Sequence, residues 1–296
     1  MTKDEINKFL AVPGLEHNVN TFESDYNGII TKAEGTELLR ENIMKLAELQ
    51  DKLYAHDRYA VLVVFQAMDA AGKDGTIKHV FSGINPQGCH VNAFKQPSDE
   101  ELDHDYLWRI YTRLPERGRI GIFNRSHYED VLVVKVNPEI LLHNKLPGIY
   151  RESDITENFW KERYRQINDF ERHLTETGTI VIKFFLNVSE KEQEKRFIAR
   201  LKDPSKNWKF SASDMKEKDK WNDYMNAYSD ILTETSTSDA PWFVIPADKK
   251  WYMRYAVSQI LVDRISALPI GYPQLTEKQE KEIESAKEKL LYLIDK

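Results

Sequence analysis

Cysteine is almost absent, with Cys89 alone in 296 residues. An internal disulfide and a cysteine-rich metal site are therefore excluded. No run of about 18 apolar residues occurs, so the usual signature of a membrane-spanning helix is missing. Residues 1–15 are polar and hold no apolar signal core, which predicts a cytoplasmic chain rather than a secreted one. A positive charge balance is lacking too. The formal net charge is −6, so neither a membrane surface nor nucleic acid is an expected partner, the latter needing a broad basic face. A local basic groove remains compatible with that sum. Internal repeats, low-complexity tracts and evident linkers are also lacking, and residues 1–296 read as one domain.

What is present fits a globular enzyme-sized chain. The 41% hydrophobic and 30% charged content is ordinary for a soluble fold with a large core. Residues 1–33 are weakly periodic and predict an irregular arm that wraps the core or a partner. Over 36–56, Leu39, Ile43, Leu46, Leu49 and Leu53 recur at helical spacing with charges between them. That amphipathic helix suits core packing or a subunit interface; with the arm it makes up residues 1–56. Apolar runs at 60–66, 90–94, 120–123, 180–186 and 243–245 read as strands. Helical stretches are predicted at 73–81, 99–112, 155–175, 190–201 and 214–233, with a final charged helix over 276–296. Strands alternating with helices predict an α/β fold whose parallel sheet is covered on both faces.

The chemistry gathers where strands end. After the first run comes Ala67-Met68-Asp69-Ala70-Ala71-Gly72-Lys73-Asp74-Gly75. A strand that turns through glycine into a helix points backbone N–H groups at one spot and makes an anion site. Lys73 then supplies a mobile positive charge to phosphates. The familiar G-x-x-x-x-G-K-[ST] pattern is not met, because Ala67 replaces the first glycine and Asp74 the metal-binding hydroxyl. The plain alternative is a strand–turn–helix junction that merely contains Gly-Lys. Asp69 is a hard carboxylate placed to hold Mg²⁺ or to orient an accepting phosphate; alone, it would be a turn former. Asp74 also suits the first turn of a helix through the dipole.

A second cluster, Asn124-Arg125-Ser126-His127-Tyr128-Glu129-Asp130, follows the run at 120–123. Ligands of open parallel sheets bind beyond such strand ends, and Arg125 suits bidentate phosphate recognition. Its plain alternative is pairing with Glu129 on a helix. His127 is a minor candidate for a general base or a phosphohistidine. In a third cluster, Ser189 and Glu192 form a capping-box pattern that starts a helix. Arg196 and Arg200 share one face of it, and Lys209 follows. A polyanion would explain two like charges on one face; a solvated helix with Arg196 offset by Glu192 is the alternative.

Taken in order, Asp69-Ala-Ala-Gly-Lys-Asp-Gly75, Gly121-Ile-Phe-Asn-Arg-Ser-His-Tyr-Glu-Asp130 and Arg200…Asp203-Pro204…Trp208-Lys209 resemble the polyphosphate kinase 2 family. Gln96-Pro-Ser and Tyr106-Leu-Trp-Arg109 add to the resemblance, which runs from about Thr36 to Pro269. The form of 124–131 is similar to the class III branch, which phosphorylates nucleoside monophosphates as well as diphosphates. The resemblance implies a three-layer α/β/α P-loop kinase fold with a five-stranded parallel sheet, order 2-3-1-4-5, and a helical lid at about 189–220. It implies that Asp69, Lys73 and Arg125 are catalytic. Phosphates would lie on Ala70, Ala71, Gly72, Lys73, Asp74, Gly75, Arg125, Arg196, Arg200 and Lys209. Asn124, Glu129, Arg109 and Arg113 are candidates for the nucleotide, although Asn124 stands where many relatives carry Asp. The implied activity moves a phosphoryl group from inorganic polyphosphate to AMP and ADP, with GMP and GDP as further candidates. Mg²⁺ would be held partly by Asp69, and the chain would form a homodimer or homotetramer. Two rivals share the motifs: an ATP-dependent nucleoside monophosphate or small-molecule kinase, and a nucleotide-binding switch.

Overall fold

The computed structural model describes residues 1–205, 207 and 217–294. The sheet has six strands in the order β1-β6-β5-β2-β4-β3. They are β1 (Leu10–Ala11), β2 (Ala60–Gln66), β3 (Cys89–Ala93), β4 (Ile120–Asn124), β5 (Thr179–Asn187) and β6 (Trp242–Pro246). β2 to β6 are mutually parallel, while β1 pairs antiparallel with β6 through Leu10↔Phe243 and Ala11↔Trp242. The expected all-parallel sheet of five is thus corrected to a mixed sheet of six. Two residues of the arm thus cover the outer edge of β6, whose other edge pairs with β5. The parallel strands alone run β3-β4-β2-β5-β6. Every residue of central β2 is buried, as a continuous β-branched run covered on both faces requires.

Helix α1 (Lys32–His56) starts four residues before the stretch 36–56 expected from the sequence. Thr31 accepts from the Glu34 N–H and the Glu34 carboxylate accepts from the Thr31 N–H, a reciprocal cap. Helix α2 (Lys73–Val80) follows β2; α3 (Glu157–Glu176) precedes β5 and α4 (Glu190–Lys202) follows it. Helices α5 (Trp221–Thr235) and α6 (Lys250–Ser266) flank β6, and α7 (Glu277–Ile294) ends the described chain with no buried residue. Phe65 of β2 and Phe184 of β5 stack beside Phe81, next to α2, while Lys183 and Phe185 point the other way, to α3 and α5. Helix α6 packs on α1 and α2, and α5 on α3, so helices cover both faces of the sheet. The helix expected over 99–112 is instead two short ones, Asp99–Leu102 and Trp108–Tyr111. Asp105 breaks the run by accepting from the Leu107 N–H at 2.9 Å. Among the described residues, no helix is long and apolar enough to cross a membrane.

One polar group lies at the centre of the core. Lys183 is fully buried, and its three donors reach Glu171 Oε2 (2.6 Å), Tyr128 Oη (2.8 Å) and the Thr235 carbonyl (2.8 Å). Tyr128 donates in turn to Glu171 Oε1 at 2.9 Å. Burial pushes the Glu171 carboxyl up, but the Lys183 ammonium and His127 outweigh it and hold the group below the usual range. Breaking such a pair strands a buried charge, so Lys183→Met is expected to cost about 3–5 kcal/mol. A urea midpoint that stays at the wild-type value would contradict this.

Candidate active site

The ends of β2 and β4 meet at one cluster. After β2 the chain turns through Ala70 (φ 60°) and Gly72 (φ 111°) into the first turn of α2. A Cβ at Gly72 would stand 3.2 Å from Met253 Cε as well as adopt a strained φ, so this turn requires glycine. The first N–H groups of α2 have no partner within the helix, which makes this helix start suited to an anion. Beyond β4, Arg125 also takes a left-handed φ of 65°, and its N–H donates to the Phe65 carbonyl at 3.1 Å. That bond ties the second cluster to the end of β2. The Arg125 guanidinium then donates to Asp69 Oδ1 at 2.9 Å and lies 3.5 Å from Glu129 Oε2. The alternative pairing of Arg125 with Glu129 is present, and a contact with Asp69 that the sequence did not predict joins it. Glu129 first, and Asp69 with it, raise the Arg125 pKa against the opposing effect of burial, so its charge is permanent.

Lys73 is buried and folds back onto the loop, donating to the carbonyls of Ala67 (2.6 Å) and Met68 (3.4 Å). Burial first, and Arg125 second, push its pKa down to about 8; Asp69, Glu129 and Asp74 pull the other way. The free enzyme therefore loses the ammonium as pH rises through about 8. Because kcat/KM reports the free enzyme, kcat/KM for the anionic donor is expected to fall above that pH. Bound phosphates favour the charged form, so the limb in kcat should lie higher. A kcat/KM profile flat well into the alkaline range would contradict this assignment.

Next to the cluster opens a cleft of about 590 Å³. Asp69, Arg125, Glu129 and Arg109 line it beside apolar Met68 and Phe94. The Arg109 guanidinium is already engaged by the Lys95 carbonyl (3.0 Å) and Glu101 (3.2 Å), over the Phe94 ring. Asp130, in the same wall, is pushed up to about 7 by burial against the pull of Arg163 and Arg109. The sequence placed Asp130 inside a motif without singling it out; a carboxyl directly after a strand-end loop was the available signal.

Several sequence-based expectations change here. Arg196 is not free to hold a phosphate. Its Nε donates to Glu192, Nη1 to the Ala70 and Ala71 carbonyls, and Nη2 to those of Ala247 and Asp248. All five donors are taken by protein acceptors. Asn124 turns from the cleft and donates to Asp74 Oδ1 at 2.8 Å. Arg113 is exposed and outside the cleft lining. His127 faces the core, its side chain fully buried with Nε2 3.3 Å from Glu171. Burial lowers its pKa, and a side chain this enclosed against Glu171 offers no ring nitrogen to a phosphate in solution. Arg200 lies on α4 with its guanidinium 5.5 Å from the Phe197 ring centre. Lys209 lies outside the described residues.

Among the described residues, no three His, Cys, Asp or Glu side chains converge into a metal cage. Asp69 alone fits an ion such as Mg²⁺, which typically takes one or two carboxylates and completes its shell with phosphate oxygens and water.

The sequence matches the family profile described as "Polyphosphate kinase 2 (PPK2)" over residues 29–270. An ADP-polyphosphate phosphotransferase of Rhodopseudomonas palustris is 52% identical over 255 residues, covering 86% of this chain and 87% of that one. An AMP/ADP-polyphosphate phosphotransferase of Meiothermus ruber is 43% identical over 276 residues, with 93% and 98% covered. The crystal structure of polyphosphate kinase 2 from Arthrobacter aurescens TC1 superposes with a TM-score of 0.78 at 39% identity, covering 93% of this chain and all of that one. With the profile spanning most of the chain and relatives this similar along nearly their full length, the chain belongs to the polyphosphate kinase 2 family.

Proposed function

We propose that this chain transfers a phosphoryl group from inorganic polyphosphate to AMP and to ADP, on a P-loop kinase fold. The observation that carries the reading is the 2.9 Å contact between Asp69 and Arg125, which joins two strand ends beside Lys73 at the mouth of one cleft. The nucleotide enters the cleft with its terminal phosphate toward Arg125. The polyphosphate end lies across the N–H groups of the Ala70–Gly75 turn. Lys73 leaves its carbonyl partners to bridge the transferring group, and Arg125 stabilises the charge spread over its oxygens. The acceptor is itself a phosphate oxygen, so no strong base is required. Mg²⁺, held partly by Asp69, would neutralise charge on the phosphate oxygens when bound. Donor and product are both phosphoanhydrides, so the reaction runs either way.

The names of the relatives support both acceptors, since one acts on AMP and ADP and the other on ADP. The chain works in the cytoplasm as a homodimer or homotetramer, which sedimentation velocity checks. An ATP-dependent kinase is less well supported, because Asp74 replaces the hydroxyl that holds Mg·ATP in such enzymes. The test mixes purified protein, Mg²⁺, long-chain polyphosphate and AMP without ATP. ADP and then ATP are expected by chromatography. Conversion of ADP but not AMP would remove the monophosphate from the reading; conversion of neither would overturn it.

A further inference from the structure

The phosphate loop is not held by its own strand and helix alone. Arg196 grips the carbonyls of Ala71 (2.6 Å) and Ala70 (3.3 Å) with one nitrogen. With the other it grips those of Ala247 (2.7 Å) and Asp248 (3.0 Å). Gln193, one turn earlier on α4, donates to the Asp69 carbonyl at 3.0 Å. The geometry of Asp69 to Ala71 therefore depends on where α4 and the 247–248 backbone stand.

One side chain bonds to both neighbourhoods. Asp248 Oδ1 accepts from the Ser189 N–H at 2.8 Å, fixing the start of α4. Asp248 Oδ2 accepts from Ser24 Oγ at 3.1 Å, and the Asp248 N–H donates to the Ser24 carbonyl at 3.0 Å. Ser24 belongs to the N-terminal arm, which is anchored on both sides of it. Asn187 donates to the Phe22 carbonyl (2.8 Å), and Lys249 reaches the Asp25 carbonyl and Asn27 Oδ1 (both 2.6 Å). An unbroken chain of hydrogen bonds runs from the arm through Asp248 and Arg196 to the phosphate loop.

We infer that Asp248 is a positioning residue for phosphoryl transfer, setting the phosphate loop through Arg196 and making the N-terminal arm part of the catalytic support. This rests on the reading that the Asp69–Lys73 loop holds the transferring phosphates. Asp248 is not among the residues that line the nucleotide cleft, so its effect should appear in turnover and anion binding rather than in nucleotide binding.

The test compares Asp248→Ala, Asp248→Asn, Arg196→Lys and the Ala/Lys double variant. Asp248→Ala is expected to lower kcat by about 10- to 100-fold, the cost of a small misplacement of reacting groups. KM for ADP should be unchanged. Asparagine keeps an oxygen for the Ser189 N–H and an amide that donates to Ser24 Oγ, so it should restore most of the turnover. Arg196→Lys cannot span four carbonyls and should fall as Asp248→Ala does. The double variant should be no worse than the poorer single one, because the two act in series. Calorimetric titration with tripolyphosphate reads the loop without turnover: Asp248→Ala should bind it about tenfold more weakly and Asp248→Asn normally. Should the alanine variant not fold, Ser24→Ala, which removes a single bond to the carboxylate, takes its place with the same direction and a smaller loss. Wild-type kcat and anion affinity retained in Asp248→Ala, or multiplicative losses in the double variant, would overturn the inference. A wild type that binds tripolyphosphate but transfers nothing would instead overturn the transfer reading.

Discussion

Lys73→Met is expected to lower kcat by roughly 10³-fold, the upper range for removing one preorganised charge from a water-poor site, without lowering the melting temperature. The two halves of this expectation have one cause. Lys73 is buried, and burial has already pushed its pKa down to about 8, so the folded protein bears the cost of holding an ammonium there. What it gains in the free state is two carbonyl contacts on its own loop. Methionine matches the stem and removes the desolvated charge. Stability is thus maintained or raised, while the group that meets the transferring phosphate is lost. The linkage carries a matching sign. The folded pKa lies below that of an unfolded lysine, so between about 8 and the usual lysine range the unfolded chain binds the extra proton. Wild-type stability should gain from Lys73 as pH rises through that window, and Lys73→Met should lose this gain. Steady-state rates and thermal melts at two pH values check both halves. A variant with more than about a tenth of wild-type kcat would remove Lys73 from the transfer step.

Arg125→Lys is expected to lose about 10²-fold or more in kcat, close to the loss in Arg125→Ala. A conservative exchange fails here for a geometric reason. The guanidinium reaches Asp69 with one nitrogen and Glu129 with the other, at 2.9 and 3.5 Å. An ammonium is a single point charge and cannot hold two carboxylates apart while facing a phosphate. With neither carboxylate spaced, Asp69 and Glu129 repel each other in the cleft and the acceptor phosphate meets net negative charge. The comparison of lysine with alanine is the informative one. Rescue by lysine to near wild-type rate would mean that positive charge alone suffices there.

How much of this was legible in the sequence differs by kind of residue. The run 60–66 has the boundaries of β2, because a strand buried on both faces leaves an unbroken apolar signature. Asp69, Lys73 and Arg125 were found because strand-end chemistry is local: each stands within a few residues of a run that announces a strand. Helix α6 was missed for the opposite reason. It is buried nearly all round, from Tyr252 to Ile265, so no polar face marks its period. β1 was missed because Leu10–Ala11 is a strand only by virtue of the β6 edge it meets.

The same division separates the residues that the structure gathers at the cluster from those it does not. Arg196 and Arg200 look alike in sequence, four apart on one helix, yet Arg196 is sealed among four carbonyls that come from two distant turns. Asn124 sits on the correct loop but turns to Asp74, outside the cleft lining, and His127 belongs to that lining with its Nε2 buried against Glu171. Spacing places a residue on a loop; the side chain's direction depends on partners from elsewhere in the chain. Asp248, which carries no motif at all, becomes visible only when those partners are traced.

The central claim is that phosphate passes directly between two ligands held at the Asp69, Lys73 and Arg125 cluster, with no protein nucleophile between them. His127, the residue considered as a phosphate carrier, has its side chain fully buried against Glu171. Transfer from a polyphosphate made chiral at its terminal phosphorus, with ADP as acceptor, tests it most directly. The account predicts inversion of configuration in the ATP formed, with no label on protein quenched in acid, which preserves an acyl phosphate, or in alkali, which preserves a phosphohistidine. Retention, or a labelled protein that goes on to phosphorylate ADP, would contradict it.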